Sequence, residues 1–275
     1  MTNGDLKKQA LKIRKGIIES TYCAKCGHPG GSLSCADIMA FLYNEKLNIN
    51  PKNPDAPERD RFVLSKGHCA PALYAALANR GYFPVEDLKK LRKTGFYLQG
   101  HPDMKQIPGV DMSSGSLGQG VSAAVGMALS AKISKESYKV YTLLGDGEIS
   151  EGQVWEAAMF AAAKGLDNLC VIVDNNNLQI DGTLEEVNSP YPIDKKFEAF
   201  NFNVINIDGH NFDEIREAFE KFSSCSNGKP TAIIAKTTKG KGVSYMEDQC
   251  GWHGKAPNEE QYLIAMKELE EQENE

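Results

Sequence analysis

Residues 139–182 read KVYTLLGDGEISEGQVWEAAMFAAAKGLDNLCVIVDNNNLQIDG, and the spacing inside this stretch decides the fold. Two apolar runs, Lys139 to Leu144 and Leu169 to Val173, each end at a polar turn: Gly145-Asp146-Gly147 and Asp174-Asn175-Asn176. Between them, residues 151–164 carry Trp155, Ala158, Met159 and Ala162 at three- and four-residue intervals, which predicts a helix. Strand, helix and strand in that order form a β-α-β unit, whose crossover makes the strands parallel. Both turns then leave the carboxyl ends of neighbouring strands, where open α/β sheets bind their ligands. Gly-Asp-Gly or Asn-Asn-Asn alone is an ordinary turn former. Here the two stand one helix apart, each after a buried-strand pattern, and a carboxylate, an amide oxygen and a nearby carbonyl are hard ligands. Such a set suits Mg²⁺, which keeps coordination positions for phosphate oxygens.

The composition narrows the setting. With 41% hydrophobic and 25% charged residues, the 275-residue chain has enough apolar material for one large core or two small ones. A net charge of −6 and the lack of a long basic run argue against nucleic-acid binding. No apolar stretch approaches the ~20 residues needed to span a bilayer. The start, MTNGDLKKQALKIRKG, lacks the apolar core of a secretory signal, so the expected location is cytoplasmic. Seven scattered cysteines do not read as a disulfide framework. Cys23-Ala-Lys-Cys26 with His28 lacks the second ligand pair of a structural zinc site.

The rest of the chain extends the α/β pattern. Residues 5–22 predict an amphipathic helix with Leu6, Ala10, Ile13, Ile17 and Ile18 on one face. A second helix is expected over residues 34–45 with Ser34 as its cap, then a strand at 61–64 and a helix at 70–79. A Gly- and Ala-rich helix is expected over 116–133, strands at 203–207 and 231–236, and a helix at 213–222 between those strands. Alternation of this kind predicts a largely parallel sheet with helices on both faces. Residues 259–275 are expected to form a helix that frays into EEQENE.

All five histidines adjoin a glycine: Gly27-His28, Gly67-His68, Gly100-His101, Gly209-His210 and His253-Gly254. Polar turns at strand ends are where sites are built, and imidazole suits proton transfer at hydroxyls and contacts to oxyanions. No GxSxG elbow and no Walker A loop is present, and the GSLGQG run at 115–120 fits a dinucleotide fingerprint poorly.

Eight ordered motifs carry a family resemblance: GHPGGSLS at 27–34, SKGH at 65–68, GHPD at 100–103, SGSLGQG at 114–120, GDGEISEGQVWEA at 145–157, DNNNLQIDG at 174–182, DGHN at 208–211 and KTTKGKGVSYMEDQCGWHG at 236–254. Across nearly its whole length the sequence resembles the amino-terminal, diphosphate-binding domain of transketolase. That resemblance implies the thiamin diphosphate-binding fold, one domain over residues 1–275 (255–275 being a C-terminal helix and acidic tail), and thiamin diphosphate with Mg²⁺, or Ca²⁺ or Mn²⁺ in its place. It implies side-chain oxygens of Asp146 and Asn176 and the carbonyl of Leu178 as metal ligands. It places Gly147, His68, Lys239 and His253 near the diphosphate, and Gly115, Ser116, Leu117 and Ile180 along the cofactor. His28, His101 and His253 would line the substrate channel and move protons. Glu151 and Glu156 match positions that link two cofactor sites across a subunit interface, while His210 is either a ligand or a loop-ordering residue.

The implied activity is transfer of a two-carbon ketol unit between sugar phosphates, with the carbanion chemistry belonging to the cofactor. In the family, the glutamate that starts carbanion formation and the arginine-rich pocket for the substrate's far anionic end lie in later domains. The sequence is therefore expected to be the amino-terminal subunit of a split transketolase. It would act with a carboxy-terminal partner, in a two-plus-two heterotetramer with cofactor at the junctions. The alternatives are specialisation for a sulfosugar or branched-sugar phosphate, and a non-catalytic subunit that only binds the cofactor. A fragment of a longer enzyme is the third; the run from Met1 to a polar tail favours a natural subunit.

Overall fold

Five short strands lie side by side in the computed structural model, which describes residues 1–273; the last two residues of the expected acidic tail fall outside that range. They are β1 (Arg61–Leu64), β2 (Val140–Gly145), β3 (Leu169–Asn175), β4 (Asn203–Asp208) and β5 (Thr231–Lys236). All pairings are parallel, in the order β1-β2-β3-β5-β4, with Val140 opposite Leu169 and Cys170 opposite Thr231. Among the described residues ten α-helices surround them: α1 (Asn3–Ala24), α2 (Pro29–Ser34), α3 (Ala36–Phe41), α4 (Ala70–Arg80), α5 (Gln119–Ser134), α6 (Gly152–Ala163), α7 (Leu184–Val187), α8 (Ile193–Ala199), α9 (Phe212–Ser224) and α10 (Glu259–Glu271).

The connections explain which helix covers which face. From β1 to β4 the chain always steps the same way across the sheet, and from β4 to β5 it steps back. A right-handed crossover must then put α9 on the face opposite α5, α6 and α8. Strand side chains sort accordingly. Tyr141, Leu143, Cys170 and Ile172 pack with α1, α3, α4 and α9, whereas Val140, Leu144, Val171 and Val173 pack with α5, α6 and α8. Strands buried on both sides explain why β2 and β3 read as continuous apolar runs.

Three helix expectations need correction. Residues 34–45 are not one helix capped by Ser34. Pro29 starts α2, the chain breaks at Cys35, α3 follows, and a wider turn covers Leu42–Lys46. Ser34 is wholly buried, and its hydroxyl donates to Asp174 Oδ2 at 2.5 Å instead of capping a helix. The helix expected from residue 116 starts at Gln119, because Gly118 adopts a left-handed φ of 82° that an α-helix cannot contain. In α6 the buried stripe is Val154, Ala157, Ala158 and Ala161, leaving Met159 60% exposed. The apolar face lies one residue away from the one the sequence indicates, since α6 is apolar nearly all round. The 231–236 strand and the edges of α1, α4 and α9 agree with expectation to within two residues.

Candidate active site

The carboxyl ends of all five strands point the same way, so the turns that follow them converge. β1 delivers Ser65 to His68, β2 Gly145 to Glu148, β3 Asp174 to Leu178, β4 Asp208 to His210, and β5 Thr237 to Lys239.

At the centre lies an ion pair that the motif reading passed over. Lys66 Nζ stands 2.5 Å from Asp174 Oδ2, with the two side chains 2% and 0% exposed. Lys66 passes beside Gly145, where an added Cβ would stand in ordinary contact with its stem at 3.8 Å. Asp174 also accepts from Ser34, Thr237 Oγ1 and Asn176 Nδ2, while Lys66 donates to Gly31 O at 2.8 Å. Burial alone would raise the Asp174 pKa, but the Lys66 charge and these hydrogen bonds hold it below the usual range. One carboxylate thus joins β1, β3, β5 and α2. The sequence shows Lys66 and Asp174 at strand ends, but only the strand order reveals that they face each other across β2.

The proposed metal ligands sit beside that pair. Asp146 is 2% exposed; its Oδ2 accepts from Asn177 N at 2.6 Å and its Oδ1 from Gly147 N at 2.9 Å. Burial, then the nearby Asp174 charge, push its carboxyl up to about 7. The Asn177 and Gly147 amides and the Lys239 charge offset this only in part, and a bound cation would supply the remaining countercharge. Asn176 donates through its amide nitrogen to Asp174, which turns Oδ1 the other way, where it accepts from Leu178 N at 3.2 Å. The Leu178 carbonyl accepts from Lys239 Nζ at 3.1 Å. Among the described residues no three His, Cys, Asp or Glu side chains are grouped as ligands. The oxygen set of one carboxylate, one amide and one carbonyl nevertheless fits a hard divalent cation.

Three of the five histidines meet. The rings of His28, His68 and His253 lie with centroids 5.1 to 5.5 Å apart. Burial, then neighbouring positive groups, lower His28 and His68 to about 4 and His253 to about 3, so all three are neutral at pH 7. A neutral imidazole offers one donor and one acceptor, which matches a sugar hydroxyl. His28 Nδ1 is buried without a hydrogen-bond partner among the described residues. Lys239, 2% exposed, sits 3.2 Å from His253 Nδ1, and burial lowers its pKa. His101 keeps one side open to solvent and lies outside the ring contacts; partial burial of its other side, then Arg92 and His68, lower its pKa. The Tyr74 hydroxyl lies 2.9 Å from His101 O, and Gly115 leaves room for the His101 ring, 2.9 Å from where a Cβ would stand.

The other expected residues are placed less centrally. Ser116 is exposed, Gly115 and Leu117 are half-buried, and Ile180 is 63% exposed. Gly147 stands against Gln179. Glu151 and Glu156 are exposed on the α6 side. Cys23 and Cys26 sit half-buried at the end of α1, with Cys26 donating to Ala24 O at 3.3 Å. His210 lies apart from the triangle and bonds Asp37 and the Thr238 amide. Two residues without an expected role also belong here. Glu148 joins three motifs, accepting from Ser65, Gly118 N and Gly145 N. Arg92 packs against Gly100 beside His101. A cavity of about 1390 Å³ opens over the ends of β3, β5 and β4; it includes Asn176 and Leu178 but none of the three clustered histidines. Among the described residues no helix is long and apolar enough to cross a membrane.

Comparison with known proteins agrees with this fold. Residues 7–271 match the family described as "Transketolase, thiamine diphosphate binding domain". The chain is 48% identical to a 6-deoxy-6-sulfo-D-fructose transketolase subunit of Clostridium sp. (strain MSTE9), covering 98% of this chain and 97% of that one. It is 44% identical to an apulose-4-phosphate transketolase subunit of Phocaeicola vulgatus, covering 97% and 94%. Among solved structures it is similar to a transketolase from Campylobacter jejuni, with a TM-score of 0.92, 36% identity and 100% of this chain covered. It spans 43% of that chain, less than half its length.

Proposed function

Since the chain belongs to the transketolase family, in the part that is its thiamine diphosphate binding domain, we propose that it is the amino-terminal subunit of a two-component transketolase. The reaction is transfer of a two-carbon ketol unit from a ketose phosphate to an aldose phosphate, for which thiamine diphosphate supplies the carbanion chemistry when bound. The observation that carries this reading is the near end-to-end match with relatives that are themselves transketolase subunits.

Within that reading, Asp146, Asn176 and Leu178 O hold Mg²⁺, or Ca²⁺ or Mn²⁺. Gly147, His68, Lys239 and His253 meet the diphosphate, while Gly115, Ser116, Leu117 and Ile180 line the cofactor. His28, His101 and His253 bind sugar hydroxyls and shuttle their protons. Their neutrality is what allows each to donate at one nitrogen and accept at the other. Glu151 and Glu156 face a subunit junction of a two-plus-two assembly in the cytoplasm. The partner supplies the glutamate that starts the cofactor's chemistry and the arginines for the far anionic group.

Ketol transfer is measured with the purified chain, with its carboxy-terminal partner, and with both. Activity is expected only in the mixture, and robust transfer by the chain alone rejects the two-component reading. A second reading, specialisation for a sulfosugar or branched-sugar phosphate, is favoured by the names of the two relatives above. A donor panel on the reconstituted pair separates it from ordinary pentose phosphate chemistry.

A further inference from the structure

We propose that His210 is a positioning residue: together with Arg14 and Asp37 it fixes the loop that aims Lys239 at the cation and diphosphate site. The proposal rests on the cofactor reading for what Lys239 does, and on geometry alone for what His210 does.

Arg14 on α1 and Asp37 on α3 form a buried two-bond pair, Nη1 to Oδ1 at 3.0 Å and Nη2 to Oδ2 at 2.6 Å. Burial would raise the Asp37 pKa, but the Arg14 charge and the bonds from His210 and Arg14 bring it down to about 2. It is therefore a carboxylate at neutral pH and accepts only. His210 Nδ1 lies 2.7 Å from Asp37 Oδ2, so this nitrogen carries the proton and donates. The other nitrogen, Nε2, accepts from the Thr238 amide at 2.9 Å. Both ring nitrogens are committed to protein groups, which removes His210 from the candidate ligands.

The clasp has a second arm. Arg14 Nε donates to Lys241 O at 3.0 Å, so one ion-paired unit grips the loop at residue 238 and again at 241. Gly240, between them, has φ 79° and donates to Gly30 O at 2.9 Å. Lys239 has a four-carbon stem that would lose its aim if its backbone moved. With both flanks fixed, its Nζ meets Leu178 O and His253 Nδ1. A buried, preorganised support behind a functional side chain is how a site holds its geometry before ligand arrives.

The test is a double-mutant cycle, His210→Ala and Lys239→Ala singly and together, in the two-subunit enzyme. It reads the dissociation constant for thiamine diphosphate with Mg²⁺, alongside hydrogen exchange of residues 237–241. His210→Ala is expected to weaken binding roughly tenfold, the value of one good hydrogen bond. The double variant should bind no more weakly than Lys239→Ala alone. Amide protection at 238–241 should fall in His210→Ala and survive in His210→Gln, whose side-chain oxygen can accept from Thr238. Additive losses, equal losses in the Gln and Ala variants, or unchanged exchange at Thr238 would each overturn the proposal. Failure of the unaltered enzyme to bind thiamine diphosphate would reject the cofactor reading instead, and the exchange data would still decide the role of His210.

Discussion

Asp174 illustrates how much one buried residue can hold. Its carboxylate is the shared acceptor for Lys66, Ser34, Thr237 and Asn176, all at the sheet's carboxyl end. Asp174→Asn leaves the Lys66 ammonium buried without its countercharge, so a loss of about 3–5 kcal/mol in urea unfolding is expected. Lys66→Met should cost a comparable amount. The double variant should lose less than the sum, because the cost arises from a lone charge and not from the missing pair. The histidines give a second test. His28, His68 and His253 have folded pKa values of about 4, 4 and 3 against 6.5 as the unfolded reference. Between those values the unfolded chain binds more protons at these three sites, so their contribution is complete above pH 6.5 and falls as pH drops toward 4; Asp146, raised to about 7, opposes it in part over the same range. For His68 alone the loss at pH 5 is about 2 kcal/mol. Thermal midpoints measured from pH 7 to 5 should decline, and less steeply in His68→Asn.

At the level of elements, the turns matter more than the helices and strands that carry them. Glu148 holds three turns together through Ser65 Oγ, Gly118 N and Gly145 N. Glu148→Gln places an amide donor against one of these donors, so a loss of about 1–3 kcal/mol is expected and thiamine diphosphate binding should weaken with it. A variant with unchanged melting and affinity would show that the turns hold themselves. The same elements show what can be read in advance. β2, α6 and β3 are legible because apolar runs bounded by Gly-Asp-Gly and Asp-Asn-Asn leave few alternatives. The break at Cys35 is not, because Ser34 looks like a helix cap until a carboxylate 140 residues away claims its hydroxyl. The α6 stripe is hard to place because apolar residues surround that helix almost completely, and period then carries little information. For the site, the histidines announce themselves by their glycines. Lys66–Asp174 and Glu148 depend on strand order, which no local pattern encodes.

At the scale of the whole molecule, the site occupies one end of a sheet whose other end carries none of the proposed ligands. Cofactor binding should therefore couple to the stability of the entire domain. With thiamine diphosphate and Mg²⁺ at 100 times their dissociation constant, the two-subunit enzyme should gain about 2.7 kcal/mol. Differential scanning fluorimetry should register a rise of roughly 5–10 °C. Chelation should remove it, and Asp146→Asn should not show it. A rise that persists in the Asp146 variant would place the cation elsewhere.

The two-faced packing also gives the protein a built-in optical label. Its two tryptophans fall on opposite sides of the sheet: Trp252 packs with Tyr245 in one core, and Trp155 stacks on Phe200 beside the other. Replacing either with Phe leaves a single emitter reporting on one face. Trp252 adjoins His253, so its emission should follow ligand loading, while Trp155 on α6 follows events on the far face. Comparing the two unfolding curves would tell whether the faces melt as one unit or in sequence.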